Sequence, residues 1–256
     1  MLADLIAGAR NDAERRRSER PLDAVERIAL ARKNPLDVLS ALAPGERVHI
    51  IAEVKRASPS RGELAQIPDP AALARDYESG GASAVSVLTE ERRFHGSLED
   101  LEAVRASVSI PVLRKEFISD PYQIFEARAA GADFVLLIVA ALEQKKLREL
   151  AELITQLGMT PLVEAHSGDE LSRAFDIGAR LVGVNARNLS TFELDRDLFS
   201  TLADRYPPGT IRVAESAVKS ADDVARYRNA GADVVLVGEA LVTSEPASTL
   251  KEFLGV

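Results

Sequence analysis

A tripeptide, Gly-Ala-Asp, recurs in this chain together with its surroundings. It occurs at 131–133 and 231–233, with the variants Gly-Ala-Ser at 81–83 and Gly-Ala-Arg at 178–180. Each copy follows a stretch with helical periodicity and precedes a run of β-branched and other apolar residues. Glycine adopts the left-handed conformation of a helix C-terminus at little cost, so each copy predicts a helix that ends where a buried strand begins. The repeat indicates a chain built from helix–strand units.

Eight apolar runs of strand length lie along the chain, and helix-like segments separate them. The predicted strands occupy residues 48–54, 83–89, 110–116, 133–140, 160–166, 180–186, 211–216 and 233–239. The clearest helices occupy residues 69–79, 97–107, 121–130, 143–157 and 220–230. Strict alternation requires parallel strands joined by right-handed crossovers.

Eight such units in 256 residues match a closed (β/α)8 barrel, the TIM barrel. The alternative is an open doubly wound sheet, which usually carries Gly-x-Gly-x-x-Gly after its first strand. Here the first strand leads into KRASPSRGEL, which lacks that pattern. The first 47 residues contain two helical segments, 2–17 and 22–33, separated at Pro21. We interpret them as an N-terminal helical extension packed on the barrel, so that residues 1–256 form a single domain, with the arginines at 15–17 facing solvent.

Composition limits the chemistry. Asp and Glu number 40 against 32 Lys and Arg, a net charge of −8, which argues against a nucleic-acid or anionic-membrane partner. The chain has no Cys, and no two of its three His have i, i+4 spacing, so thiolate chemistry is excluded and a zinc site disfavoured. Residues 1–20 lack a signal-peptide core, and the longest apolar run, 134–142, is too short for a bilayer. We expect a cytoplasmic protein without metal or cofactor, monomeric or weakly dimeric.

Polar residues gather at the carboxyl ends of the predicted strands, where barrel enzymes have their active sites. Glu53 and Lys55 are two residues apart, so both reach the barrel mouth if Ile51 faces the interior. Such groups are costly to bury singly but can pair, and the alternative is a ring of salt bridges without catalytic function. After the last two strands, Ser216 and Gly238 suit a phosphate site. Further strand-end residues are Lys115, Glu164, Asn185, Glu215 and Glu239.

Long ordered motifs now make a resemblance clear. From about residue 2 to about residue 254 the chain is similar to indole-3-glycerol phosphate synthases. The motifs are IAEVKRASPSRG at 51–62, SVLTEERRFHGSLEDL at 86–101, PVLRKEF at 111–117, QIFEARAAGAD at 123–133, LLIVA at 136–140, LVEAH at 162–166, GVNARNL at 183–189, AES at 214–216 and LVGEAL at 236–241.

The resemblance implies a lyase of tryptophan biosynthesis. Its substrate would be 1-(2-carboxyphenylamino)-1-deoxyribulose 5-phosphate, which undergoes ring closure and loses carbon dioxide and water. Lys115 matches the general acid on the ketone oxygen, Glu164 the base of the dehydration, and Lys55 a residue near the phosphate and the leaving hydroxyl. Supporting polar groups would be Glu53, Asn185, Glu215 and Ser216. Substrate-binding residues would be Ser58 and Arg187 near the carboxylate, Phe94, Phe117 and Leu189 around the aromatic ring, and Ala217, Gly238 and Glu239 near the phosphate.

Physical chemistry fits these roles. A ketone becomes electrophilic when its oxygen receives a proton, and a lysine carries that proton at neutral pH. Two positions depart from the family, because residue 217 is Ala where Gly is usual and Glu116 stands where Asp is more frequent. If residue 217 has a positive φ, Ala costs about 1 kcal/mol there. His95 and His166 lie beside the site, and we expect them to be loop histidines.

Two other functions compete. Phosphoribosylanthranilate isomerase, another phosphosugar barrel, uses a Cys and an Asp as its acid–base pair, and this chain has no Cys. A barrel that binds a phosphorylated ligand without turnover is the non-enzymatic alternative. Lys115 and Glu164 together count against that alternative.

Overall fold

Eight parallel strands close into one barrel in the computed structural model, which describes residues 1–189 and 191–256. The barrel strands are β1 His49–Val54, β2 Ala84–Leu88, β3 Val112–Lys115, β4 Phe134–Ile138, β5 Thr160–Ala165, β6 Leu181–Asn185, β7 Ile211–Glu215 and β8 Val234–Val237. Each strand pairs with the next along the chain, and β8 pairs with β1. This closure confirms the predicted TIM barrel and excludes the open sheet.

Helices alternate with the strands, and six of the twelve α-helices in the described residues begin at a side-chain cap. They are α1 Leu2–Glu19, α2 Leu22–Ala31, α3 Val38–Ala41, α4 Pro70–Gly80, α5 Leu98–Ser107, α6 Pro121–Ala130, α7 Gln144–Gln156, α8 Gly168–Asp176, α9 Leu198–Leu202, α10 Ala221–Asn229, α11 Glu239–Val242 and α12 Pro246–Leu254. The side chains of Asp69, Ser97 and Ser167 each accept a backbone N–H of the first turn, which fixes where α4, α5 and α8 begin. A two-stranded ribbon, Ala57–Ser58 with Gly62–Glu63, was not predicted.

The repeated tripeptide has the predicted backbone role. All four of its glycines have positive φ, namely Gly81, Gly131, Gly178 and Gly231. The aspartates that follow two of them add a contact that the sequence did not indicate. The carboxylate of Asp133 accepts from the N–H of Val112 at 2.8 Å, and that of Asp233 accepts from the N–H of Arg212 at 2.9 Å. Each aspartate therefore holds in place the backbone at the start of the strand that comes before it in the chain.

The barrel interior positions the site. Ile51 belongs to the inner apolar cluster together with residues from the other strands, such as Leu113, Leu162 and Leu236. Because side chains alternate along a strand, the inward position of Ile51 places Glu53 and Lys55 toward the carboxyl end of the barrel, as predicted. A second apolar cluster fills the layer between the sheet and the surrounding helices.

The N-terminal helices pack on the barrel. Leu5 and Ala9 of α1 join the inner apolar cluster, whereas α2 lies along α6. The expectation that the arginines at 15–17 face solvent is wrong for Arg16, whose Nε donates to Oε1 of Glu126 on α6 at 2.6 Å. Within the described ranges, the structure contains no helix whose length and apolar character would let it cross a bilayer.

Candidate active site

Two adjoining cavities open at the carboxyl end of the barrel. With the space open to solvent at their mouths included, the larger measures about 750 Å³ and the smaller about 550 Å³. The larger one has an apolar wall, made by residues that include Leu5, Phe94, Phe117, Leu136, Ile138 and Leu189. Both cavities share a set of polar and charged residues, namely Glu53, Lys55, Lys115, Arg187, Ser216 and Glu239. The charged cluster therefore lies between an apolar compartment and a smaller polar one.

The structure brings the predicted site residues together. Besides the shared residues, the larger cavity is lined by Ser58, Phe94, Phe117, Glu164, Asn185 and Leu189. The smaller cavity adds Ala217 and Gly238. Glu215 lines neither cavity, but its Oε2 lies 3.5 Å from Nζ of Lys115. Among the described residues, His, Asp and Glu side chains form no cluster suited to a metal ion.

Glu53 joins the two lysines. Its Oε1 lies 2.7 Å from Nζ of Lys55, and its Oε2 accepts from Nζ of Lys115 at 2.9 Å. Burial alone would raise the pKa of Glu53, but the two ammonium groups outweigh it and lower that pKa to about 2. Burial alone would likewise lower the pKa of Lys115, yet Glu53 and Glu215 raise it above its usual value. Lys115 is therefore held charged and supplied with a proton.

Gly238 makes room for this cluster. A Cβ placed on Gly238 would lie 2.4 Å from Oε1 of Glu53 and 3.0 Å from Nζ of Lys55. Sequence analysis attributed Gly238 to the close approach of an anionic ligand. The structure shows that the ion pair of Glu53 and Lys55 already requires a residue without a side chain there.

Two buried carboxylates at strand ends, Glu90 and Glu116, hold the backbone of the apolar compartment. The rings of Phe94 and Phe117 lie 6.1 Å apart between centroids and are tilted by 43°. Oε2 of Glu90 accepts from the N–H of Phe94, and Oε1 of Glu116 accepts from the N–H of Phe117, both at 2.9 Å. These contacts fix the backbone that carries both rings.

The loop after β7 has an unusual backbone. Ser216 has a φ of +69° and Ala217 a φ of +63°, both in the left-handed region. The hydroxyl of Ser216 donates to Oδ1 of Asn185 at 2.8 Å, and the same oxygen accepts from the N–H of Arg187 at 3.0 Å. The loops after β6 and β7 are thus joined through one amide side chain. Glu239 faces across the smaller cavity and pairs with Arg61 at 2.8 Å.

Replacing Ala217 with glycine is expected to stabilise the protein. Ala217 has the positive φ that the sequence comparison with the family suggested, and a Cβ costs about 1 kcal/mol in that conformation. Urea denaturation followed by circular dichroism should show an unfolding free energy higher by up to about 1 kcal/mol. Ala230→Gly is the control, because Ala230 has a φ of −80° and glycine there should lower stability. An Ala217→Gly variant less stable than the parent would show that the loop carries no such strain.

Three features of the site were not predicted from the sequence. Gly183 is one, because a Cβ there would lie 2.2 Å from Oε1 of Glu215. His166 is another, since it lies between two carboxylates and is not a simple loop histidine. Leu5 is the third, and it brings the N-terminal helix to the larger cavity. Only Gly183 and His166 carried a sequence signal, since both lie within motifs at strand ends.

Comparison with known proteins agrees with this geometry. The family model for indole-3-glycerol phosphate synthase matches residues 2–253. An indole-3-glycerol phosphate synthase of Leifsonia xyli subsp. xyli is 76% identical over 256 residues, which cover 100% of this chain and 98% of that relative. Another, of Beutenbergia cavernae, is 56% identical over 243 residues, covering 95% and 90%. The solved 3-hexulose-6-phosphate synthase from Salmonella typhimurium shares the fold, with a TM-score of 0.67 and 15% identity over 81% of this chain and 97% of that one. The chain belongs to the indole-3-glycerol phosphate synthase family.

Proposed function

We propose that this protein converts 1-(2-carboxyphenylamino)-1-deoxyribulose 5-phosphate into indole-3-glycerol phosphate, carbon dioxide and water. One structural observation supports the proposal independently of family membership. Lys115 and Glu164 lie on β3 and β5, two strands apart, and both line the same cavity. An acid and a base on different walls match a reaction that first adds a proton to a ketone and later removes one from the new ring.

The two compartments match the two ends of the substrate. The carboxyphenyl ring suits the apolar wall formed by Phe94, Phe117 and Leu189, with Arg187 and Ser58 in the same cavity for the carboxylate. The phosphate suits the smaller compartment, where Ala217, Gly238 and Lys55 lie. Lys55 and Lys115 stand between these ends, beside the sugar carbons that react.

The chemistry assigns a step to each charged group. Lys115 gives a proton to the ketone oxygen while the aryl carbon that bears the carboxylate bonds to the former ketone carbon. Carbon dioxide then leaves, and the aryl ring regains its aromatic electrons. Lys55 protonates the departing hydroxyl, which leaves as water, and Glu164 accepts the ring proton whose loss forms the indole. Holding the aryl carbon over the ketone would supply much of the rate, because orientation removes an entropic cost.

The decisive experiment is a fluorescence assay for indole product with the carboxyphenylamino substrate. The purified protein is expected to generate the indole signal and release an equal amount of carbon dioxide. A well-folded protein that binds the substrate without forming indole would overturn the proposal in favour of the non-catalytic phosphosugar barrel. We further propose that the protein is cytoplasmic, that it is monomeric or weakly dimeric, and that its N-terminal helices and barrel form one domain.

A further inference from the structure

Two carboxyl groups meet in the interior of the barrel beneath the cavity. Glu164 on β5 is paired in register with Gly183 on β6. Oε1 of Glu215 on β7 lies over the same Gly183, where a Cβ would stand only 2.2 Å away. The missing side chain of Gly183 thus lets Glu215 extend across β6 toward Glu164. Both carboxyl groups are almost completely buried, at 1% exposure each.

Two carboxylates this close and this deeply buried do not both ionise. Within the described part of the chain, neither oxygen of Glu215 has a hydrogen-bond donor in bonding geometry. Burial raises the pKa of Glu215, and the neighbouring Glu164 raises it further against the opposing effect of Lys115. The pair therefore shares one proton, and catalysis depends on which member holds it.

His166 breaks the symmetry of this pair. Its Nε2 lies 3.2 Å from Oε1 of Glu164, and its Nδ1 lies 3.3 Å from Oε2 of Glu170 on α8. The same oxygen of Glu170 accepts from the backbone N–H of His166 at 2.8 Å, which fixes the ring between the two carboxylates. Nδ1 forms a hydrogen bond with Glu170, whereas Nε2 and Oε1 of Glu164 are in ion-pair contact without hydrogen-bond geometry. A carboxylate on each side of the ring favours its protonated form, the imidazolium.

The other charged groups around this chain do not replace His166. Lys115 approaches the pair from β3, but its near contacts are Glu53 at 2.9 Å and Glu215 at 3.5 Å, so it favours ionisation of Glu215 rather than Glu164 alone. Arg173 acts on the outer carboxylate, Glu170, from the same helix. From the turn after α9, the Arg205 guanidinium lies against Gly168 and donates to Ser172. Among these groups, His166 alone faces Glu164 without also facing Glu215.

We propose that His166 is a positioning residue which, fixed by Glu170, keeps Glu164 ionised and leaves the shared proton on Glu215. Burial alone would lower the pKa of His166, but Glu164 and Glu170 raise it to about 10, so the cation persists at neutral pH. Burial would also raise the pKa of Glu164, and His166 reverses this effect so that it lies below its usual value. His166 and Glu170 lie outside the cavity lining, so they act through Glu164. The inference rests on the proposed function in one respect, namely that Glu164 is the catalytic base.

The first test is the pH profile of the dehydration step for His166→Gln, measured in single turnovers as the rate at which indole forms after carbon dioxide is released. Glutamine keeps a donor near Glu164 but removes the positive charge, so the pKa of the base should rise. Activity that needs ionised Glu164 is lost as pH falls through that pKa, and the acid limb is expected to move to higher pH by about 1–3 units. His49→Gln, the same change at the first residue of β1 and so at the amino end of the barrel, should not shift the acid limb. An unmoved limb in an active His166→Gln protein overturns the inference.

The second test needs no activity. Nitrogen-15 NMR of the imidazole rings should show His166 protonated at pH 8 in the parent protein, with its signals assigned by their loss in His166→Gln. Glu170→Gln keeps an acceptor for the backbone N–H of His166 but removes the outer charge, so His166 should titrate at least about 1 pH unit lower. A neutral His166 at pH 8 in the parent overturns the inference even if the protein forms indole. A protein that forms no indole but shows the protonated ring contradicts the proposed function and leaves the charge arrangement supported.

Discussion

Replacing Lys115 with alanine is expected to lower kcat by at least about 10²-fold, the scale of losing a general acid. Lys115 lies within 3.5 Å of both Glu53 and Glu215 and lines both cavities, so no other ammonium reaches the same point from β3. Lys55 cannot take its place, because it is held by Oε1 of Glu53 on the adjoining side. Steady-state indole fluorescence measures the loss, and a parent-like kcat would remove Lys115 from the role of acid.

Lys115→Arg separates proton donation from charge. Arginine keeps a cation beside Glu53 and Glu215, but its guanidinium does not give up a proton in the physiological range. If Lys115 acts by donating a proton, the arginine variant should remain about as inactive as the alanine variant. Recovery of most of the activity by arginine would show that the site needs only a positive charge at this position.

The stability of Lys115→Ala should depend on pH in a defined direction. Lys115 has its pKa raised by the surrounding carboxylates, so its contribution to stability is present below the unfolded lysine pKa and is lost only at higher pH. Without it, the carboxyl groups left behind bind protons more tightly in the folded state than before. The variant should therefore lose more unfolding free energy at pH 8 than at pH 5, where protonation of these groups relieves the repulsion. Urea titrations at the two values measure this difference.

The strand ends of this barrel could be predicted because local sequence patterns determine where each strand ends. An apolar run followed by a polar pair places Glu53 and Lys55 at the mouth once Ile51 points inward. The candidate residues could be predicted for the same reason, since parallel strands bring their carboxyl ends together whatever the shape of the loops.

Contacts that depend on how neighbouring helices and strands pack against each other could not be predicted from the sequence. Gly183 matters only because the stagger of β6 and β7 carries Glu215 over it. Arg16 was expected to face solvent because nothing in α1 indicates that Glu126 lies opposite. His166 was passed over although Ser167 and Glu170 have the spacing of a helix cap, because the cap does not reveal that the ring also reaches Glu164.

Glu164→Gln is expected to separate the two halves of the reaction. Glutamine has the shape of glutamate but cannot accept a proton at neutral pH, so ring closure and decarboxylation, which use Lys115, should continue while dehydration slows by about 10²-fold or more. With enzyme in excess over substrate labelled in its carboxyl group, quenched-flow measurement should show carbon dioxide released well before indole appears. Glu63→Gln, the same change at an exposed carboxylate of the two-stranded ribbon, should leave carbon dioxide and indole appearing at the same rate.

A base whose pKa lies below the usual value for a glutamate still suffices for this step. As the hydroxyl leaves the new ring as water, a carbon–nitrogen double bond forms beside the carbon that holds the proton, and that proton becomes strongly acidic. The site therefore needs a carboxylate that is ionised and correctly placed more than one that is strongly basic. The charges of His166 and Lys115 maintain that ionised state against the effect of burial. If carbon dioxide and indole were instead delayed together in Glu164→Gln, Glu164 would act at or before ring closure, and the division of labour between Lys115 and Glu164 would have to be abandoned.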